Sequence, residues 1–402
     1  MTKTVSLIGM IILTLSAVGW GAPVTKPPIP PQRPVVGRII PPTGNPIVVE
    51  TSVGPKATTL VPEIQQKVST FIKRHGNPIS GLVLVEVETG KILALTEGMS
   101  PRKWSGKSHT VFHPTFPSAS LFKTVVASAA IELSLVKPRD PIGLIGGCGE
   151  VLHGGQWMAE GVTKRQYRMD LKKAYGMSCN GFFAKIAVND VGLGAILEFA
   201  NRFRWQKDVP ADFFITPSPL KAPSAGQSSV HTIGRFAAGF GYVGSSPVHA
   251  AWRTLAIASK GIAKPLILFE ETDPLKLYRE ASERVISEKT SQQLLQMMDA
   301  TIRGGTASSA FRRGKHRSLR FSVGGKTGTL TGHNPEGLTT WFTGVYPVKD
   351  PKIVVASVVV IGDHWIFKAA NLAAETIYVW KKYNKNKLLN TASRPTKNRR
   401  TQ

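Results

Sequence analysis

Residues 117–123 read Pro-Ser-Ala-Ser-Leu-Phe-Lys and open a long apolar segment with few charges. Ser118 and Ser120 are of a type that caps helices, so the segment predicts a largely buried helix over 120–135. Ser120 and Lys123 are three residues apart and therefore share one face of that helix. The helix dipole favours negative charge developing on the Ser120 oxygen, and burial lowers the pKa of a lysine so that it can accept the hydroxyl proton. The stretch thus indicates a nucleophilic serine with a lysine as its base.

The Ser-x-x-Lys pattern is weak evidence by itself, because Ser134-Leu135-Val136-Lys137 repeats it. Pro138 follows this second copy, which therefore ends a helix instead of opening one. Two stronger motifs lie downstream of the first copy. They are Ser178-Cys179-Asn180, the only Ser-x-Asn in the chain, and Lys326-Thr327-Gly328-Thr329, the only Lys-Thr-Gly. Three motifs in this order argue against chance.

The three motifs resemble the signature of penicillin-binding proteins and class A β-lactamases. The layout over roughly residues 60–384 is similar to the transpeptidase domain of penicillin-binding proteins. Residues 85–94 resemble the first hairpin of that family, and 239–250 resemble its glycine turn and the helix start after it. The second motif starts 55 residues after the first one ends (178 − 123), and the third starts 148 residues after the second one starts (326 − 178). The long second interval resembles the high-molecular-mass enzymes.

This resemblance implies a serine acyl-enzyme mechanism. Ser120 attacks the carbonyl of the penultimate D-Ala of a peptidoglycan stem peptide, while Lys123 takes the serine proton. Ser178 relays a proton to the leaving nitrogen, supported by the charge of Lys326. Asn180 holds Lys123 and the substrate amide.

The resemblance also implies a strand that binds the substrate. The hydroxyls of Thr327 and Thr329 bind the substrate carboxylate, helped by Lys326, which we expect to stay charged. Gly328 lies between the two threonines and belongs to the same binding strand. The backbone N–H groups of Ser120 and Thr329 are the implied oxyanion hole. No metal or organic cofactor is implied, and no Cys/His cluster has zinc-ligand spacing.

Three functions fit these motifs. The leading hypothesis is a D,D-transpeptidase that cross-links stem peptides and is covalently inhibited by penicillins, with carboxypeptidase activity where water replaces the acceptor amine. A serine β-lactamase is one alternative, and it needs a deacylating base such as a glutamate. Glu150 and Glu160 lie between the first two motifs and not after the second one, so the sequence offers no candidate for this base. A non-catalytic β-lactam sensor is the other alternative, and no transmembrane signalling segment beyond the N-terminus supports it.

Charge and the N-terminal residues suggest a location. The chain has 402 residues and a formal net charge of +26, so it is attracted to polyanions. In residues 1–22, Lys3 precedes a short apolar run that ends in small residues, which is typical of a secretory signal peptide. Trp20 lies among the small residues where cleavage would fall and makes the cleavage site ambiguous, so an uncleaved membrane anchor is the alternative. We expect an exported, periplasmic or cell-envelope protein whose polyanionic partner is an envelope surface and not nucleic acid.

The predicted organisation has four segments. A proline-rich linker over 23–58, with nine prolines in 23–46, follows the signal peptide or membrane anchor. The transpeptidase domain spans 59–384, and a basic disordered tail spans 385–402. High-molecular-mass enzymes carry a large N-terminal domain where this chain has only the linker, so a separate glycosyltransferase is an expected partner.

The pattern of elements predicts an α+β, three-layer fold. A hairpin over 81–95 and three strands within 319–361 predict one antiparallel five-stranded sheet. A helix from residue 60 and another over 369–383 flank the sheet, and an all-helical lobe is inserted between its strands. Helices are predicted at 120–135, 168–175, 180–191, 193–203, 246–260 and 287–302.

The cysteines and histidines carry little information. The two cysteines, Cys148 and Cys179, are consistent with an oxidising compartment, and we favour two free buried thiols over a disulfide. The scattered histidines are expected to be structural or exposed: His153, His249, His333 and His364.

Overall fold

A five-stranded antiparallel sheet is the central element of the fold. The computed structural model describes residues 33–37, 44–99, 111–145, 148, 166–224, 229–333, 335–362 and 367–392. The strands of this sheet are β3 (Ile79–Glu86), β4 (Ile92–Met99), β11 (Gly324–His333), β12 (Glu336–Tyr346) and β13 (Ile353–Ile361). They lie side by side in the order β11-β12-β13-β3-β4. Shorter strands pair outside it: β1 (Val48–Val49), β2 (Lys56–Ala57), β5 (Phe116–Pro117), β6 (Ile142–Ile145), β7 (Gln166–Met169), β8 (Gly244–Ser245), β9 (Ile262–Ala263) and β10 (Glu283–Arg284).

Ten helices surround the sheet in the described ranges. They are α1 (Pro62–His75), α2 (Lys123–Glu132), α3 (Leu171–Met177), α4 (Asn180–Ile186), α5 (Gly192–Arg202), α6 (Val230–Ala238), α7 (Pro247–Ala258), α8 (Pro274–Ala281), α9 (Glu288–Arg303) and α10 (Ala369–Ala392). The first helix, α1, and the last one, α10, pack on one face of the sheet, while α7 and α9 pack on the other. The inserted lobe is built around α2, which contacts α4, α5 and α6.

The strand sequences explain why both faces are covered. Along β3, Leu82 and Leu84 join the core beneath α1 and α10, whereas Val83 and Val85 join the core on the opposite face. Side chains alternate between faces along a strand, so a continuous apolar run needs a cover on each side. All nine residues of β13 are buried, as expected for its central place in the sheet. The predicted α+β three-layer fold is therefore confirmed.

The lobe departs from the predicted elements at 168–175. Residues Gln166–Met169 form β7, which pairs with β6, and α3 begins only at Leu171. Asp170 accepts a hydrogen bond from the Lys173 N–H and caps the helix at that point. The strand was missed because its partner lies in β6, outside the local sequence pattern. Helices α6 and α8 were also not predicted.

Both ends of the predicted domain contain more structure than expected. In the predicted linker, Arg33 Nη1 donates to the Val209 carbonyl at 2.8 Å, and Val36, Ile47 and Val49 are buried. These apolar residues between the prolines attach the segment to the domain, so this part is not an extended spacer. At the other end α10 continues to Ala392, and residues 385–392 of the predicted tail are helical.

The predicted signal peptide at 1–22 and the last residues, 393–402, lie outside the described residues. Within the described ranges, no helix is both long enough and apolar enough to cross a membrane.

Candidate active site

Ser120 lies in a short 3-10 turn, Ala119–Phe122, that leads into α2. Ser118 makes no capping hydrogen bond there, so the predicted helix cap is wrong. The turn is instead held by its neighbours, because Trp341 Nε1 donates to the Pro117 carbonyl at 2.8 Å. Gly239 adopts a φ of +94°, and a Cβ at this position would lie 2.0 Å from the Ala119 carbonyl oxygen. Only glycine allows this approach, which explains the glycine turn seen in the sequence.

Lys123 occupies the first turn of α2 and is fully buried. Its Nζ lies 2.8 Å from Ser120 Oγ, 3.1 Å from the Ser178 carbonyl oxygen and 2.5 Å from Asn180 Oδ1. Burial, reinforced by the charge of Lys326, lowers the pKa of Lys123 well below its usual value. A neutral amine here can donate two N–H bonds to Ser178 and Asn180 while its lone pair faces the Ser120 hydroxyl.

The second motif lies where α3 ends and α4 begins. Ser178 adopts a left-handed conformation with a φ of +57° at the C-terminus of α3. This turn directs its carbonyl to Lys123 and places its Oγ 3.5 Å from the same amine. Asn180 opens α4, and its backbone N–H donates to the Cys148 carbonyl at 2.9 Å.

Cys148 and Cys179 form a disulfide, so the prediction of two free thiols is wrong. The two cysteines are 31 residues apart in sequence, and the fold brings them together. Cys148 follows β6, and the backbone bond from Asn180 holds that segment against the second motif. The bridge therefore ties the Ser-x-Asn residues to the β6 side of the lobe.

Lys326 lies on β11 and is also fully buried. Its Nζ donates to Ser178 Oγ and to the Thr327 carbonyl, both at 2.8 Å, and lies 5.5 Å from the centre of the Tyr175 ring. Burial lowers the pKa of Lys326 to about 7. We expected this lysine to stay charged, but with that pKa both its charged and its neutral form are accessible at neutral pH. A carboxylate bound beside it would raise the pKa and favour the ammonium form.

The other residues of the third motif shape the strand. Thr329 is exposed, and Thr327 Oγ1 lies 2.5 Å from Thr306 Oγ1. Gly328 is buried, and a Cβ there would lie 3.3 Å from the Ser118 carbonyl oxygen, so glycine lets β11 run close to the serine turn. Because β11 is an edge strand, one side of its backbone is not paired with another strand of the sheet.

The structure thus brings together the five residues predicted to be catalytic: Ser120, Lys123, Ser178, Asn180 and Lys326. Sequence reasoning missed Tyr175, whose ring lies beneath Lys326 and whose hydroxyl is 2.9 Å from Thr124 Oγ1. The only signal for it was an aromatic residue three positions before Ser178. His249, in contrast, is structural as expected, since both ring nitrogens are hydrogen-bonded inside the core.

The five-stranded sheet with its inserted helical lobe has the fold of penicillin-binding transpeptidase domains. A family model described as the penicillin binding protein transpeptidase domain matches residues 80–378. The chain belongs to this family.

Known relatives and solved structures are similar to this chain at low identity. A peptidoglycan D,D-transpeptidase FtsI homolog of Chlorokybus atmophyticus is 29% identical over 166 residues, which are 40% of this chain and 23% of that protein. The chain thus aligns with about a quarter of that relative's length.

Two solved structures show the same fold. The D,D-transpeptidase domain of a peptidoglycan glycosyltransferase from Eggerthella lenta matches with a TM-score of 0.63 and 20% identity, over 82% of this chain and 83% of that one. Penicillin-binding protein A from M. tuberculosis, solved as an imipenem acyl-enzyme complex, matches with a TM-score of 0.62 and 19% identity, over 81% and 79% of the two chains.

Proposed function

We propose that this protein is a D,D-transpeptidase that cross-links peptidoglycan stem peptides through an acyl-enzyme on Ser120. The observation that carries the proposal is the contact between Ser120 Oγ and the buried amine of Lys123, 2.8 Å apart. A hydroxyl is a weak nucleophile until a neighbouring base accepts its proton. Burial lowers the pKa of Lys123 and so favours the neutral amine that can act as this base. The family of the chain supports the same chemistry.

In the acylation step, Ser120 Oγ attacks the carbonyl carbon of the penultimate D-Ala, and its proton passes to Lys123 Nζ. Ser178 Oγ lies between the two lysine amines and relays a proton to the nitrogen of the leaving D-Ala. The peptide C–N bond breaks, and an ester to Ser120 remains. The backbone N–H groups of Ser120 and Thr329 stabilise the oxyanion of the tetrahedral intermediate.

Substrate binding uses the edge strand β11. An extended peptide can lie antiparallel or parallel to such an edge and bond to its backbone. In this arrangement Thr327, Thr329 and the ammonium of Lys326 bind the terminal carboxylate of the stem peptide. Gly328 keeps the strand close to Ser120. Penicillins, which carry a carboxylate beside a strained amide, occupy the same positions and acylate Ser120.

A labelled penicillin tests this function. Purified protein should form a stable adduct whose mass and peptide map place it on Ser120, and Ser120→Ala should abolish the labelling. Ser134→Ala, at the second copy of the Ser-x-x-Lys pattern, is the matched control and should label like the wild type. A label on Ser118, or undiminished labelling of Ser120→Ala, would exclude the assignment. Rapid turnover of the penicillin would instead identify a β-lactamase.

We further propose that the protein acts at the cell envelope, beside a glycosyltransferase supplied by another protein. Support comes from the exposed basic end of α10, where Lys382, Lys385 and Lys387 project from the domain. Deleting residues 385–402 should weaken binding to vesicles of anionic lipid at low salt, while acylation by a soluble penicillin stays near wild type. A fall in the acylation rate would show that the tail takes part in the site.

Failure to recover a glycosyltransferase on cross-linking in cells would count against the proposed partner protein.

A further inference from the structure

A basic groove adjoins the candidate active site between α3 and α9, and we call it the α3–α9 groove. It consists of two adjoining concavities of ≈ 350 and ≈ 480 Å³ that share residues from both helices. The first concavity is lined by the end of α3, directly before the second motif, and the second extends to the turn between β12 and β13. The lining residues that matter here are Lys172, Met177, Arg303, Gly305, Phe321 and Lys349.

Two residues that line the first concavity, Met177 and Gly305, connect the groove to the second and third motifs. Met177 directly precedes Ser178, whose Oγ accepts a hydrogen bond from Lys326. Gly305 directly precedes Thr306, whose Oγ1 lies 2.5 Å from Thr327 Oγ1. The groove therefore begins next to the proposed site for the carboxylate of the leaving D-Ala. The amine that replaces this D-Ala must reach the ester along the path by which the first amine left, so its peptide approaches from the same side.

The charges of the groove suit an acidic peptide. Lys172, Lys173 and Lys349 are exposed, and Arg303 adds a fourth cation. Two carboxylates also line the groove, Asp299, which pairs with Arg303 at 2.6 Å, and Asp170, which caps α3, so that positive charges exceed negative ones by two (4 − 2). The net positive charge attracts carboxylate groups at long range and at contact.

The groove also offers apolar surface to a peptide backbone. Phe321 is 60% exposed, and the guanidinium groups of Arg303 and Arg320 each lie 5.2 Å from the centre of its ring. Met177, at the other end, is 41% exposed. An exposed aromatic ring flanked by two cations can contact both parts of an acidic peptide. The ring packs against its apolar atoms, and the guanidinium groups attract its carboxylates.

We propose that the α3–α9 groove binds the acceptor, an acidic stem peptide that carries the attacking amine. The inference rests on the proposed transpeptidase function. In the transfer step the amine nitrogen of the bound acceptor forms a bond to the carbonyl carbon of the Ser120 ester, and the bond from that carbon to Ser120 Oγ breaks. The amine proton passes through Lys123 to Ser120 Oγ, which restores the hydroxyl. The groove contributes binding and orientation of the acceptor only.

Charge reversal in the groove tests the proposal with the full-length protein. The variant is Lys172→Glu/Lys349→Glu, and the matched control is Lys276→Glu/Lys289→Glu, which makes the same change in net charge at exposed positions on α8 and α9 outside the groove. A synthetic D-Ala-D-Ala pentapeptide serves as donor. The acceptors are a tetrapeptide with a free side-chain amine and two carboxylates, and glycinamide, which is small and lacks a carboxylate.

The measured quantity is the ratio of aminolysis to hydrolysis of the acyl-enzyme. With the acidic acceptor, the groove variant should show a ratio lower by roughly tenfold at low salt, as expected when two exposed attractive charges become repulsive. With glycinamide, and in the rate of labelling by penicillin, the variant should match the wild type. The control variant should match the wild type with both acceptors.

Several results would overturn the proposal. An equal loss with glycinamide would place the defect in the chemistry, and an equal loss in the control would show a general charge effect. An unchanged ratio in the groove variant would also reject the acceptor site. Since labelling by penicillin is measured in parallel, these failures differ from failure of the proposed function, in which the wild type itself forms no acyl-enzyme.

Discussion

At the scale of single residues, two buried lysines with different surroundings carry the proton transfers that we propose. Lys123 contacts Ser120 in the turn before α2, Ser178 at the end of α3 and Asn180 at the start of α4, and burial lowers its pKa well below the usual value. Lys326 reaches the same Ser178 from β11, and its pKa is about 7. One amine is therefore suited to accept a proton, and the other to hold a positive charge once a carboxylate arrives.

Arginine substitutions should separate the two roles. Lys123→Arg cannot deprotonate and should slow acylation by a labelled penicillin by a factor of about 10² or more, the effect of a lost general base. Lys326→Arg keeps a charge for the substrate carboxylate and should retain part of the rate. The measurement is the second-order acylation rate of both variants with one penicillin. Substantial and comparable rates in both would mean that Lys123 is not the base.

The pH dependence of acylation should follow the same division. As pH rises through about 7, Lys326 loses its proton and attracts the β-lactam carboxylate less, so the second-order rate constant should fall. At low pH the rate should fall as well, because protonated Lys123 cannot accept the serine proton. In Lys326→Arg the alkaline decline should disappear from the range below pH 9, since arginine stays charged. A wild-type rate that rises steadily from pH 7 to 9 would contradict this assignment.

At the scale of elements, the position of Ser178 depends on close contact between α3 and α9. Gly176 lies in the last turn of α3, where a Cβ would be 3.0 Å from atoms of Ala300 on α9. The Thr306 N–H donates to the Gly176 carbonyl at 3.1 Å and joins the segment after α9 to the same turn. Because Gly176 is two residues before Ser178, the separation of the two helices sets the geometry of the second motif.

A pair of neighbouring glycines tests this contact. In Gly305→Ala the new Cβ would lie 2.1 Å from the Gly176 carbonyl oxygen and 2.8 Å from the Thr301 Cα, so the helices must move apart. We expect a loss of about 1–3 kcal/mol in the free energy of unfolding and slower penicillin labelling. Gly304→Ala is the control, because a Cβ there meets nothing within 4 Å. Equal unfolding midpoints for the two variants would show that the contact is not tight in solution.

At the scale of the whole molecule, the site is assembled from the sheet and the helical lobe. Ser120 and Ser178 belong to the lobe, whereas Lys326 is carried by the edge strand of the sheet. Trp341 on β12 donates to the Pro117 carbonyl and fixes the serine turn against the sheet. The disulfide between Cys148 and Cys179 adds a covalent tie within the lobe, next to Asn180.

Removing the disulfide should therefore reduce both stability and activity. Cys148→Ser/Cys179→Ser releases a loop of 31 residues, and we expect a loss of about 2–4 kcal/mol in the free energy of unfolding. Denaturant unfolding of the oxidised protein measures the loss. A reductant should lower the stability of the wild type by a similar amount and leave the variant unchanged. The reductant is added where the chain is fully unfolded and the bridge is accessible. If the free energy of unfolding of the wild type then stays unchanged, the bridge is not formed.

The sequence by itself determined the sheet, the helical lobe and the chemistry of the motifs, because these depend on short-range patterns. Ser120 and Lys123 share a helical face three residues apart, and the apolar runs of β3 and β13 report burial on both sides. Family resemblance then supplied roles for the downstream motifs. The fold class could be predicted for the same reason, since alternation along strands and helices is local.

Only the tertiary structure decided which distant residues meet and how polar their surroundings are. It brought Lys326 to Ser178 across 148 positions (326 − 178), and it joined Cys148 to Cys179, where the sequence favoured free thiols. It also buried Lys326 and lowered its pKa to about 7, although a lysine in sequence is expected to be charged. Contact across long loops and desolvation are properties of the packed chain, and no local pattern encodes them.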